Sequence, residues 1–528
     1  MRRHLSALLT TTALTLLTSG CHSSPDLAGG ATGAGGAGGE SESSSSGSGS
    51  GTGSPPPPVW SEASLTDADN EGLFACNPDM QPFAPVQLSV PMARAMASAT
   101  QVRGILLPKS GSAAAPPPSL VNSGEIFNYY HITYPVKESS ELGIVTQLVA
   151  TDKVGDYLLQ IAVQAPTAPA PRAPTSVTVL VDTSTSMEGE PMSRANNAVL
   201  ALASSLHKGD VLTFLTTDSD FAPVRRRALS EGDPKLFQKE DWLTVRGAGG
   251  LGRALERAYQ EAGAPESHLD GGLDRLVVIT DGGAAVSAID TKSIAQHWDE
   301  EHIQLVGVGV GSAAGYRNGL LDAATTAGHG PSLYLDSVEE ATPALRLRFD
   351  EVMDVAASDL HISFTLPWIF KPVTAETTNP ADDGKELTVS DLGRGRSMIF
   401  RRHISVCGSI DLAEAAELPI EVTATWKAGP GADSPLLSKS SSTLLKDARL
   451  ASQSPQMLKA SAILAFASAL QSLDVTRLHA ACKKAQDALF LTPAAPNDPV
   501  GLLDPEMDSI LNQIKAHPLL GDANLPCK

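Results

Sequence analysis

The sequence predicts an α/β protein with three parts: a doubly wound, parallel-sheet (Rossmann-like) central domain, a flanking β-sandwich-like module and a C-terminal helical module. Three observations support this fold class. Between residues 173 and 353, apolar β-branched runs alternate with helical patterns, which is typical of right-handed βαβ units. Beyond Asp354 the apolar period changes from about 3.6 residues to about 2. From residue 451 the pattern is helical again.

The predicted domains follow these changes. They are a lipoprotein signal peptide at 1–20, a Gly/Ser/Pro tether at 21–58, an N-terminal flanking region with strands at 59–172, the central domain at 173–353, a β-rich module at 354–450 and a C-terminal helical module at 451–528. A chain of 528 residues has room for about three domains of ordinary size.

The central domain opens with Val177–Val181, a buried-strand pattern that stops at a polar loop. Open α/β sheets place their ligand sites at such carboxyl ends. Further strands are predicted at Val211–Thr217, Leu276–Thr280, Ile303–Val310 and Ser332–Leu335. The helices between them are predicted at Pro191–Leu206, Leu251–Glu261, Ile289–Glu300, Arg317–Ala327 and Val338–Val352.

Further strands and helices are predicted in the regions that flank the central domain. Trp60–Leu120 predicts irregular structure with one short helix, and Ser123–Tyr130 predicts another short helix. Strands are predicted at Gly143–Ala150, Asp156–Gln164, Leu360–Leu366, Arg396–Ser405 and Ile420–Trp426. Helices are predicted at Leu458–Leu473, at Val475–Leu489 and from Asp504. One interpretation is a single β-sandwich built from both flanks, with the central domain inserted; the alternative is two unrelated pieces.

The N-terminus has the order of an export signal. Arg2 and Arg3 precede an apolar segment, and Cys21 follows small residues in a pattern that resembles a bacterial lipobox, although Leu17 stands one place early. The resemblance implies that Cys21 carries the lipid. We therefore expect a membrane-anchored envelope protein, at the outer membrane or cell surface rather than the inner membrane. The alternatives are an ordinary secretory signal or a single membrane anchor.

The net charge of the chain bears on its partners, and its cysteines bear on its disulfides. The formal net charge is −20, which disfavours nucleic acid as a partner. Four cysteines follow the lipidation position, an even number that suggests up to two disulfides in an exported chain. Three pairings are open; Cys482 with Cys527 and Cys76 with Cys407 is the pairing we favour. Free buried thiols are the alternative.

The motif that carries function is Asp182-Thr-Ser184-Thr-Ser186 after the first strand, with Thr280-Asp281-Gly282 after a later one. Together they resemble the von Willebrand factor A domain and its metal ion-dependent adhesion site (MIDAS). The resemblance implies that Ser184 and Ser186 bind the metal, Mg²⁺ or else Mn²⁺ or Ca²⁺, while Asp182 and Asp281 hold bound waters. Hard cations take such oxygen ligands, and Mg²⁺ keeps several waters. An acidic side chain of a protein ligand would then complete the coordination.

One position departs from the family's pattern. Gly249 stands where the family has a threonine, so the third hydroxyl is missing. Because Mg²⁺ accepts water in place of a protein ligand, the site could still fill weakly, with Thr244 as a nearby substitute. The alternative is a degenerate loop in which Asp and Ser cap local backbone.

Weaker motifs extend the likeness beyond the metal loops. They are Phe127–Tyr130, Tyr134-Pro135, Gly311–Leu320 and Tyr334–Asp336. They are similar to a family of bacterial lipoproteins in which uncharacterised N- and C-terminal regions flank an A domain. That resemblance implies an envelope location and protein binding, without a reaction.

Enzymatic readings are disfavoured, so we expect no catalytic residues. Asp182-Thr183-Ser184 is distantly like a haloacid dehalogenase-type phosphatase, but Ser184 stands where that chemistry needs an acid. No Gly-x-Ser-x-Gly elbow and no zinc-ligand spacing occur in the central domain. The remaining alternative is a metal-independent structural or scaffolding lipoprotein. The oligomeric state, the partner and the membrane face stay open.

Overall fold

The computed structural model describes residues 76, 86–88, 94–109, 111–135, 141–167, 172–218, 222–233, 235–237, 243–247, 250–283, 290–317, 319–372, 391–408, 410–428, 434–490 and 503–520. The predicted signal peptide, the tether, Cys21, Gly249 and Cys527 lie outside them. None of the helices in the described ranges combines the length and apolar character that crossing a bilayer requires.

The elements follow in chain order. The strands are β1 Val86–Leu88, β2 Gly143–Ala150, β3 Asp156–Gln164, β4 Thr175–Val181, β5 Val211–Thr216, β6 Val224–Arg227, β7 Leu273–Thr280, β8 Gln304–Gly309, β9 Ser332–Tyr334, β10 Val355–Thr365, β11 Phe370–Pro372, β12 Leu392–Gly393, β13 Ser397–Val406, β14 Pro419–Lys427, β15 Leu436–Leu444 and β16 Arg449–Leu450. The helices are α1 Ala97–Leu106, α2 Ser123–Tyr129, α3 Glu190–Ala203, α4 Leu251–Ala262, α5 Thr291–Glu301, α6 Gly319–Ala327, α7 Phe349–Met353, α8 Leu445–Ala448, α9 Pro455–Ser472, α10 Val475–Asp487 and α11 Pro505–Ala516.

The central sheet has the order β6-β5-β4-β7-β8-β9. All neighbours are parallel except β6, which pairs antiparallel with β5. Helices cover both faces of this sheet. Successive side chains of a strand point to opposite sides, so each central strand packs against helices on both faces. Val179 packs on the face that carries α3 and α7, and Leu180 packs on the face that carries α4, α5 and α6. The predicted doubly wound fold class is confirmed.

Three details differ from the sequence predictions. The edge strand β6 was not predicted, because Arg225, Arg226 and Arg227 give it no apolar pattern. The predicted helix Val338–Val352 is a π-helix at Thr342–Leu347 followed by the short α7. Pro343, in the first turn of that π-helix, has no N–H to donate.

The third difference is the size of the helix before residue 120. α1 is ten residues long, and eight of them are buried. Thr100 Oγ1 donates to Tyr334 O at 2.7 Å and Gln101 Nε2 donates to Tyr316 O at 2.9 Å, so α1 covers the β9 edge of the central sheet. The buried residues of α1 include Ser98, Thr100 and Gln101, so its sequence lacks the continuous apolar stripe that predicts a buried helix.

The β module joins chain segments from both sides of the central domain. One sheet has the order β1-β10-β14-β15, with β12 beside β10, and the other has the order β11-β13-β3-β2-β16. β3 pairs with β13 over Asp156–Gln164, opposite Ser397–Ser405. Apolar side chains of both sheets form one cluster, which includes Ile161, Phe400 and Val422. The two flanks therefore share one sandwich-like core.

Two further contacts tie distant segments together. A disulfide joins Cys76 to Cys407, with Cα atoms 5.5 Å apart, which is one of the pairings considered above. Cys482 is buried in α10, and its proposed partner Cys527 is outside the described residues. Helices α9, α10 and α11 share a continuous apolar cluster with the α3 face of the central domain. The domain boundaries given above stay predictions.

Candidate metal site

The two loops of the motif lie side by side because their strands are neighbours. β4 and β7 pair in parallel, with Val181 opposite Ile279, so both chains leave the sheet at the same edge. The Asp182 N–H donates to Ile279 O at 2.8 Å, which continues the pairing one residue past the strand. Asp182 therefore begins its loop in contact with β7, the strand that Asp281 follows.

Asp182 is the fixed part of the site. It is 2% exposed, and both carboxylate oxygens accept a hydrogen bond: Oδ1 from Ser184 N at 2.9 Å and Oδ2 from Thr280 Oγ1 at 2.8 Å. A carboxylate oxygen has lone pairs for a second donor, so each oxygen can also hold a water. The carboxylate is thus oriented before any ligand arrives.

The two serine hydroxyls converge at the loop surface. Thr185–Met187 is a 3₁₀ turn, and Ser184 before it has an extended backbone. Ser184 Oγ and Ser186 Oγ are 3.0 Å apart, with Ser186 exposed. Adjacent ligands of an octahedral Mg²⁺ at about 2.0–2.1 Å are about 2.8–3.0 Å apart. The hydroxyl separation matches two neighbouring coordination positions.

Asp281 lies close to Ser186, with Gly283 next to both side chains. Its Oδ1 accepts from Gly283 N at 2.9 Å. A Cβ added at Gly283 would lie 2.8 Å from Ser186 Oγ and 3.1 Å from Asp281 Oδ1, so this glycine fills the space between the two side chains. The structure therefore brings together all four of the predicted residues.

The third loop is only partly described. Thr244 is exposed, and no contact with the serines is found for it in the described ranges. Arg246 N donates to Thr183 O at 2.9 Å, which ties this loop to the first. Thr183 N in turn donates to Thr217 Oγ1 at 3.0 Å. Sequence reasoning missed the supporting roles of Thr217 and Gly283; a hydroxyl at the end of β5, beside β4, was the available signal.

The donor set fits a hard divalent cation. It consists of two hydroxyls and two carboxylates, all oxygen, as Mg²⁺ and Mn²⁺ prefer. Within the described ranges, no group of three or more His, Cys, Asp or Glu residues is arranged to hold a metal. Any ion here would thus depend on hydroxyls and water, with few protein charges in direct contact.

Comparison with known proteins matches part of the chain to one domain family. A profile of the von Willebrand factor type A domain matches residues 176–344. The uncharacterized protein YfbK of Escherichia coli (strain K12) is 25% identical over 270 residues, which cover 48% of this chain and 46% of that protein. The chain thus spans about half the length of this relative.

Comparison with solved structures gave matches of low sequence identity. A von Willebrand factor type A protein from Catenulispora acidiphila is 14% identical, with a TM-score of 0.39, over 73% of this chain and 98% of that chain. The pilus adhesin SpaC from Lactobacillus rhamnosus GG is 11% identical, with a TM-score of 0.30, over 58% and 48% of the two chains. The family match covers the sheet and both motif loops, so residues 176–344 are a von Willebrand factor type A domain and the chain is a protein that contains one.

Proposed function

We propose that the chain is an envelope protein whose A domain binds a protein partner through a divalent cation held at Asp182, Ser184, Ser186 and Asp281. Domains of this family are typically interaction and adhesion modules, and many bind a divalent metal. The observation that carries the proposal is the 3.0 Å separation of the Ser184 and Ser186 hydroxyls beside the buried Asp182 carboxylate.

Each residue of the site has a distinct task in this proposal. Ser184 and Ser186 would contact the cation, and Asp182 and Asp281 would orient its waters through oxygens that are already anchored. A bound Mg²⁺ or Mn²⁺ would supply a Lewis acid with an open position for a partner's carboxylate. Ser186 is exposed, so that position would face solvent and a partner.

Charge gives a further reason for a cation. The chain has a formal net charge of −20 and would repel an acidic partner over most of its surface. A divalent ion reverses the sign locally. We therefore expect chelation to abolish binding of an acidic partner, and added monovalent salt to change it far less.

The metal test uses the full-length protein and Mn²⁺, which reports binding by electron paramagnetic resonance. Ser186→Ala removes one exposed hydroxyl whose hydrogen-bond partner is Ser184, so the fold should remain intact. We expect about a tenfold or larger loss of Mn²⁺ affinity in Ser186→Ala, since one of few protein ligands is lost. Asp182→Ala should abolish binding.

Thr185→Ala is the matched control, because Thr185 is exposed in the same turn and belongs to neither predicted ligand pair. It should bind Mn²⁺ like the unmodified protein. Absence of saturable Mn²⁺ or Mg²⁺ binding at about 10 mM metal, a generous excess over typical weak sites, would eliminate the metal-dependent mechanism. The metal-independent scaffold would then be the better account. Asp182-dependent hydrolysis of a phosphoester would instead support the phosphatase alternative.

The envelope location is a separate part of the proposal. It rests on the sequence around Cys21, on the Gly/Ser/Pro tether and on the resemblance to A-domain lipoproteins. In the native host, Cys21→Ser should move the protein from the membrane fraction to the soluble fraction and abolish labelling by radioactive palmitate. Retention of Cys21→Ser in the membrane fraction would contradict lipid anchoring. Protease accessibility in intact cells would then distinguish an outer-membrane location from the cell surface.

A further inference from the structure

A cavity lies between the N-terminal flank, α7 and the β module, away from the metal loops. Its volume is about 40 Å³, enough for a few waters or one small ion. Much of the lining is apolar, with side chains of Met96, Phe127, Ile132, Leu392, Met398 and Ile399. Two arginines, Arg94 and Arg396, line the same space.

Within the described residues Arg94 forms no ion pair, and Arg396 forms one long ion pair, with Glu351 at 3.6 Å. Arg94 is 8% exposed, and its guanidinium donates to three backbone carbonyls: His329 O at 3.2 Å, Glu351 O at 2.9 Å and Val352 O at 2.8 Å. These carbonyls satisfy its N–H groups without neutralising the charge. Burial lowers the pKa of Arg94 to about 10 despite attraction from Asp391 and Asp354.

Arg396 is the less satisfied of the two. Its Nη1 is buried and has no hydrogen-bond partner in the part of the chain that the structure describes. The nearest carboxylate oxygen, Glu351 Oε2, is 3.6 Å away, longer than a hydrogen bond of about 2.7–3.2 Å. Burial lowers the pKa of Arg396 despite attraction from Glu351 and Glu506, and nearby Arg348 adds to the lowering.

The surrounding carboxylates are engaged elsewhere. Glu351 Oε1 lies 2.9 Å from His131 Nε2. Asp354 accepts from Arg394 Nε at 2.9 Å, and Asp391 pairs with His329 Nδ1 at 2.9 Å. Glu351 is the one acidic residue among the described residues that line the cavity; its carboxylate lies near Arg396, whereas Arg94 is attracted by Asp391 and Asp354 outside the lining. The lining has an excess of one positive charge within a protein of net charge −20.

A buried guanidinium nitrogen without a hydrogen bond is costly even beside a carboxylate 3.6 Å away, and water would satisfy this N–H without adding negative charge. A guanidinium presents parallel N–H groups that match a carboxylate. From the Nη1 that lacks a hydrogen bond, the excess charge and the apolar remainder of the lining, we infer that this cavity binds one small monocarboxylate of the size of formate or acetate. Its carboxylate would face Arg396 and Arg94, and its short apolar end would contact the Met398 side.

The test measures acetate binding to the full-length protein at constant ionic strength set with sodium chloride. Saturation-transfer NMR on the acetate methyl group should show saturable binding with Kd of about 0.1–10 mM, as expected for a ligand of so few atoms. The melting temperature should rise over the same range. Arg396→Met, which removes the charge and keeps an unbranched chain, should weaken binding at least tenfold.

Arg394→Met is the matched control, because Arg394 lies two residues away and pairs with Asp354 outside the lining. It should bind acetate like the unmodified protein. Ile399→Phe provides a second variant that keeps both arginines and fills the cavity, and it should also abolish binding. Absence of saturable acetate or formate binding at about 50 mM, well above the expected Kd, would show that the cavity holds water and would overturn the inference. An equal saturable response to chloride would overturn the assignment of a carboxylate, and so would undiminished binding in Arg396→Met.

Discussion

Replacing Glu506 by glutamine should lower the free energy of unfolding at pH 7 by about 3 kcal/mol, at the lower end of what breaking a buried charge network costs. Glu506 Oε1 accepts from His131 Nδ1 at 2.6 Å, and Oε2 accepts from His131 N at 2.9 Å. Lys459 Nζ lies 2.8 Å from Oε2, and Arg348 Nη2 lies 3.3 Å from Oε1. Glutamine would leave these cations facing a neutral group that can also donate.

The pH dependence follows from the same contacts. Burial by itself would raise the pKa of Glu506, but the His131 hydrogen bond and the Lys459 charge hold it well below its usual range. A carboxyl group whose pKa is depressed by folding stabilises the protein above its unfolded pKa of about 4.3, and this contribution is lost as pH falls toward the folded pKa. The difference in unfolding free energy between the unmodified protein and Glu506→Gln should therefore have its full size at pH 7 and shrink below about pH 4.

Urea unfolding followed by circular dichroism between pH 7 and pH 3 measures both effects. Glu421→Gln, at an exposed position of β14, is the control and should change stability by less than about 0.5 kcal/mol. A Glu506→Gln protein within that same margin of the unmodified protein at pH 7 would show that the network contributes little net stability.

Gly330→Ala should have a comparable or larger effect, exceeding about 4 kcal/mol. A Cβ at position 330 would lie 1.8 Å from Leu305 O and 2.6 Å from Leu305 C. These are backbone atoms of β8, a strand paired on both sides, so they cannot rotate away as a side chain would. The clash therefore has to displace the sheet or the turn after α6.

Gly319→Ala is the matched control, because nothing lies within 4 Å of a Cβ at position 319, at the start of α6. Alanine there should be neutral or stabilise by about 0.5–1 kcal/mol, since it favours the helix more than glycine does. Scanning calorimetry compares the two. A Gly330→Ala melting temperature within about 2 °C of the unmodified protein would mean that the clash is relieved at low cost.

The features predicted correctly from the sequence are those whose pattern lies in consecutive residues. β4, β7 and β8 are apolar runs bounded by polar loops, so their existence and the fold class could be read directly, and both are confirmed. The four candidate metal ligands follow two of these strands, and parallel pairing is enough to bring such loops together. Whether they hold a metal stays a prediction, as does the lipid at Cys21.

What could not be predicted depends on contacts between distant residues. His131 and Glu506 are 375 positions apart, and no local pattern indicates that one binds the other. Arg396 reads as the start of a strand, and only the packing of three segments places its guanidinium in a cavity. α1 buries the polar residues Ser98, Thr100 and Gln101 against other segments, and its sequence does not indicate that burial. Burial that is supplied by other parts of the chain leaves no periodic signal.

The pairing of β3 with β13 has a consequence for how the chain acquires its fold. One edge of β3 pairs with β13, and the chain between these two strands contains the A domain. The separation is large: Gln164 donates from its side chain to Arg396 O, 232 positions later. That edge of β3 therefore lacks its neighbour until the whole A domain has been made. At synthesis rates of about 5–20 residues per second, that interval is about 10–50 seconds. During this time β3 exposes unpaired backbone groups that could bind another chain. A nascent protein with this topology therefore depends on fast folding of its inserted domain, or on a chaperone, to protect an edge that the finished molecule no longer shows.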